Sequence, residues 1–117
     1  MKAYPKEFLK FIELFNEGKY FESHEVLEDL WRRTAGEEKL FYQGLIQAAV
    51  CLHHLRQGNR EGMEYEFRAA AEKLRKFPDH YLGIDNRQFM RDLERCTAAP
   101  DFKNLPDLPG IKLESKK

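Results

Sequence analysis

The chain has 117 residues, with 20 Lys and Arg balanced by 20 Asp and Glu. That length buries one hydrophobic core and leaves little for a second. Zero formal charge at pH 7 gives no field to draw the protein onto a phosphate backbone or an anionic bilayer, so neither nucleic acid nor a membrane is the expected partner.

Charges run throughout residues 6 to 17, a pattern foreign to a secretory or transit signal, and no targeting segment is expected. Phe8, Phe11, Ile12 and Phe15 recur there at helical spacing, Pro5 suits a first turn, and Gly18 suits the stop. A second helix is predicted from 20 to about 34, closed by Gly36. Glu37 and Glu38 place negative charge at the start of a third, which runs to about 57. Its charge-free run, 40 to 55, is broken by Gln43, Gln47, His53 and His54. It is too short to span a bilayer and reads as a buried core helix. Gly58 and Asn59 turn the chain into a fourth helix that ends before Pro78. Asp85 followed by Gln88 resembles a capping box and starts a fifth, through about 96. No strands are expected.

From Pro100 onward, Phe102, Leu105, Leu108 and Ile111 recur every third residue among prolines, the period of an extended polyproline-like strip with one apolar edge. The P-x-x-P at Pro106 to Pro109 carries little as a ligand motif on its own. The expected architecture is all-α. A single domain over residues 1–97 holds about five helices arranged as hairpins, and an extended Pro-containing tail over residues 98–117 packs on the bundle or trails from it. Residues 15–33 also overlay residues 55–73 at an offset of 40, with Gly18 on Gly58. The pattern is somewhat like a tetratricopeptide unit, but two units are too few for a solenoid, so a pair of packed helical hairpins is expected.

Polar residues interrupt the apolar faces. At about 100° per residue, Glu28 falls about 40° to one side of His24 and Trp31 about 20° to the other, inside the arc that should face the core, with Glu25 at its border. Gln43, Gln47, Val50 and His54 likewise line one face of the third helix. An antiparallel hairpin about Gly36 sets Glu28 opposite Gly44 and Gln43, and His24 opposite Ala48 and Gln47. A buried carboxylate costs on the order of several kcal/mol unless it is satisfied. The cluster is therefore either a closed network, with the Gln amides and the imidazole donating to Glu28, or a ligand or metal pocket built from the same groups.

These residues carry a resemblance. F-N-x-G-x-Y-F-E-x-H-E-x-L-E-x-L-W-R followed by F-Y-Q-G-L-I-Q-A-A-V resembles the small prokaryotic family catalogued as domain of unknown function 309. The likeness runs from residue 15 to about 59 and rests on H-E-x-x-E-x-x-W with Q-G-x-x-Q, here His24, Glu25, Glu28 and Trp31, then Gln43, Gly44 and Gln47. It implies a compact all-helical protein without an established activity.

H-E-x-x-E is similar to the zincin H-E-x-x-H, which would make His24 and Glu28 ligands, Glu25 a base and His54 a third ligand reached from across the hairpin. A divalent metal is thus the one cofactor to consider. E-x-x-H pairs for a di-iron bundle, phosphate-binding loops, dinucleotide motifs and nucleophile elbows do not occur in the sequence. Cys51 and Cys96 lack C-x-x-C spacing, which suggests neither a zinc knuckle nor a disulfide framework and points to a reducing cytoplasm. Cys51 reads as a small core residue, His53 as an edge residue and His80 as solvent-facing. Trp31 and Tyr42 flank the hairpin bend and would wall a pocket whose polar groups are His24, Glu28, Gln43 and Gln47. The reading favours a non-catalytic binding or scaffold module, with the exposed faces of the fourth helix meeting an unidentified protein partner. The alternative is a small-molecule or metal site between helices two and three, with hydrolysis as the chemistry to consider.

Overall fold

The computed structural model of the chain describes residues 4–114. Those residues form five helices in the predicted order: α1 (Lys6–Asn16), α2 (Tyr20–Arg32), α3 (Glu37–Arg56), α4 (Arg60–Leu74) and α5 (Asn86–Ala98). The protein is all-α. What was expected of residues 1–3 and 115–117 lies outside the described residues.

The bends between α1 and α2 and between α3 and α4 use one device. Gly18 and Gly58 have φ of 78° and 72°. The next amide reaches back across each, Lys19 to the Leu14 carbonyl and Asn59 to the His54 carbonyl, both at 2.9 Å. This is the left-handed glycine cap that satisfies a helix's last carbonyls. The internal echo is a repeated hairpin bend, and Arg56 joins the two copies by donating from Nη1 to the Gly18 carbonyl at 2.6 Å.

Consecutive helices pack on one another from α1 to α4, and α5 packs on α4. Phe8, Phe11, Phe15, Leu27, Phe41, Leu45, Leu52 and Leu74 are fully buried between them. Each such side chain contributes about 1.5–3 kcal/mol on burial. That burial, more than propensity, holds helices this short. At the start of α5, Asp85 Oδ1 accepts from the Gln88 amide at 3.0 Å, as the capping signal predicts, while the Gln88 side chain donates to Asp92 rather than back to the cap.

The absence of strands needs correction. A short antiparallel hairpin joins α4 to α5, with β1 (His80–Tyr81) against β2 (Ile84–Asp85) and His80 opposite Asp85. Its turn residues, Leu82 and Gly83, both have positive φ, 49° and 78°, as the favoured two-residue hairpin turns require. Leucine is not a turn-forming residue at such angles. It is held there because its side chain packs on the core, which local sequence does not reveal.

After Ala98 the tail lays Phe102, Leu105, Leu108, Ile111 and Leu113 against the bundle. Asn16 pins it by donating from Nδ2 to the Ile111 carbonyl at 2.8 Å and accepting the Ile111 amide at 2.7 Å. Among the described residues no helix is long and apolar enough to cross a membrane.

Candidate functional site

Between Phe41 and Leu55, α3 is buried except at Gln43, Gln47, Val50, His53 and His54. The stripe they form lies between α2 and α4, which both pack on α3. On the α2 side the Phe21 ring lies 5.4 Å from that of His53, and Lys39 Nζ lies 4.2 Å over the Trp31 ring. These pairs match the register expected of a hairpin about Gly36. On the α4 side Gly44 lets the helices close, because a Cβ there would sit 2.7 Å from Leu74 Cδ2. The glycine of Q-G-x-x-Q therefore serves packing, and its two glutamines lie half-buried along the seam, or groove, that α3 floors between α2 and α4.

Among the described residues, no hydrogen bond joins His24 or Glu28 to Gln43 or Gln47, so the closed network is not formed within the chain. His24 is half-buried, stacks edge-on against Phe21 at 4.8 Å and turns Nδ1 to the Phe21 carbonyl. That contact places the ring proton on Nδ1 and leaves Nε2 an acceptor in the neutral ring. Glu28 accepts from Arg32 at 3.1 Å. Gln47 Oε1 is buried without a partner, and so is Trp31 Nε1. Glu25 is exposed. Tyr42 is 2% exposed and packs 5.7 Å from Phe8. It belongs to the core rather than to the groove wall, and burial pushes its hydroxyl up to about 12.

His54 stands at the far end of the stripe, with Nδ1 3.2 Å from Asn59 Nδ2. The ligand atoms of His24, Glu28 and His54 are not gathered about a point. Among the described residues, the group whose ligand atoms lie within 4.8 Å of one another is His80, Asp85 and Glu114. Cys51 is fully buried, donates to the Met63 carbonyl at 3.4 Å, and is pushed up to about 12 by burial. Such a thiol stays protonated at neutral pH and is not a nucleophile.

Glu66 of α4 is the groove residue that the sequence reading missed. It is half-buried. Burial raises its carboxyl above the ordinary 4.5, while the charges of His54, Lys73 and His24 act in the opposite direction. Both histidines of the groove are thus electrostatic neighbours of one carboxylate on the α4 wall. The signal was available: Glu66 lies among Met63, Phe67 and Ala70 on the apolar side of its helix, the same anomaly that exposed His24. An open cleft of about 380 Å³ adjoins the Phe21 end, lined by Tyr20, Phe21, His53 and Arg56 among others.

Comparison with known proteins places this arrangement in a family. Residues 8–65, which take in most of α1, all of α2 and α3 and the start of α4, match the family described as Domain of unknown function (DUF309). The chain is 32% identical over 102 residues to an uncharacterized protein of Aquifex aeolicus (strain VF5), a match covering 86% of this chain and 31% of that protein. It is 32% identical over 93 residues to the uncharacterized protein YpuF of Bacillus subtilis (strain 168), covering 74% of this chain and 52% of that protein. The chain therefore spans about a third and about half of the lengths of these two relatives. The crystal structure of a conserved hypothetical protein from Thermus thermophilus superposes with a TM-score of 0.70 at 33% identity, covering 83% of this chain and 100% of that one. With the whole of that chain matched and both motifs inside the family match, this chain belongs to the DUF309 family.

Proposed function

We propose that the protein is a non-catalytic binding module, working in a reducing cytoplasm, whose groove between α2, α3 and α4 takes an ammonium or guanidinium group of its ligand. The observation that carries this reading is Gln47 Oε1, a buried acceptor with no partner. An unmet acceptor costs about 1–3 kcal/mol. Gln47 lies on the α3 stripe with Gln43, between the wall that carries His24 and Glu28 and the wall that carries Glu66. The groove is rich in acceptors, which suits a donor-bearing cation. Lys39 over Trp31 is an example of cation–aromatic contact within the chain itself.

Metal-dependent hydrolysis would need His24, Glu28 and His54 to converge on one ion, and their ligand atoms lie apart. Glu25, which would serve as base, is exposed. Two relatives carry the matching sequence within longer proteins, as befits a module joined to other parts.

The test is an NMR titration of the labelled full chain with arginine amide, with sodium chloride at equal ionic strength as the control. The Gln47 side-chain amide and the His24 ring should shift saturably, and Gln47→Met should abolish the effect. Shifts no larger than those from salt would refute the assignment.

A further inference from the structure

A second constellation lies outside the groove. We propose that His80, Asp85 and Glu114 form a divalent transition-metal site, best suited to zinc, that fastens the C-terminal tail to the β1–β2 hairpin. Their ligand atoms all lie within 4.8 Å of one another, although the residues come from two strands and the tail.

Backbone pairing brings the three together without an ion. His80 and Asp85 are directly opposed across the antiparallel pair, which places their side chains on one face of the hairpin. Glu114 is delivered by its own amide, which donates to the Gly83 carbonyl at 2.7 Å. Upstream, the Asn16 clamp on Ile111 holds the same stretch of tail.

The donor set fits zinc. His80 Nδ1 and Glu114 Oε2 are 2.8 Å apart. Tetrahedral zinc, with bonds of about 2.0–2.1 Å, holds its ligands about 3.3 Å from one another, so small side-chain rotations admit the ion in place of the proton between them. Asp85 spends one oxygen capping α5 through Gln88 and keeps the other for the ion. An imidazole nitrogen favours zinc over magnesium or calcium, which prefer all-oxygen shells. Two carboxylates and a neutral imidazole balance the charge of the ion, and solvent fills the remaining position because all three residues are exposed.

The experiment uses the full chain, untagged and stripped with chelator, titrated with zinc by calorimetry and followed by thermal melting. One ion should bind per chain and raise the Tm by roughly 10 °C at about a hundredfold excess over Kd. His80→Ala, Asp85→Asn and Glu114→Gln should each weaken binding at least about tenfold while melting near the wild type without zinc, since Asn retains the cap on α5. Absence of any zinc-dependent rise in Tm overturns the proposal. So does binding that survives His80→Ala but disappears in His54→Ala, which would move the ion to the groove.

Discussion

Leu45, Leu52 and Leu55 share a helix with Gln43, Gln47 and His54, yet the fold treats the two sets differently. The leucines are at most 1% exposed and closed in by the core. The polar residues stand half-buried on the opposite stripe, and Gln47 Oε1 has no partner. Stability is drawn from one face of α3, while the other keeps polar groups that an apolar replacement would satisfy more cheaply. The proposed binding role accounts for that local conflict in an otherwise consistent fold.

The comparison breaks first at the core face. Leu52→Ala should lose about 2–5 kcal/mol, read by chemical denaturation. A smaller loss there would mean that α3 is not the centre of the core. A satisfied polar side chain supplies the intermediate case. Asn16→Ala strands the Ile111 amide and carbonyl and should cost about 1–3 kcal/mol, with the tail after Ala98 becoming an early site of limited proteolysis.

Glu66 should behave in the opposite sense to both. Its folded pKa is raised, chiefly by burial, so above 4.5 the unfolded chain releases a proton that the folded chain still holds. Stability is then complete below 4.5 and declines as pH rises through the folded value. Glu66→Gln removes this decline. The variant should melt with the wild type at about pH 4 and above it at about pH 7. Equal melts at both would show that burial does not raise the Glu66 carboxyl in the folded chain.

The helices could be read from the sequence because each carries its own period and punctuation: Phe8 to Phe15, the Gly18 and Gly58 bends, and the Asp85 cap. The hairpin at His80 could not, since Leu82 takes a left-handed turn that leucine disfavours while its side chain packs on the core, a tertiary contact that local sequence does not show. At the site, angular position correctly put Gln43, Gln47 and His54 on one stripe and set the register of α2. It could not say that Tyr42, one step along α3 from Gln43, turns into the core beside Phe8. Nor could it say that α4 closes the other wall with Glu66, because helical phase fixes a face but not which neighbour covers it.

The most direct test is the melting of Gln47→Met, which keeps the volume of the side chain and removes its amide. If Gln47 is kept for a ligand, the variant melts at or above the wild type while losing its response to arginine amide. A loss of more than about 1 kcal/mol, the worth of a satisfied hydrogen bond, would show that the amide holds the fold together and would contradict the account.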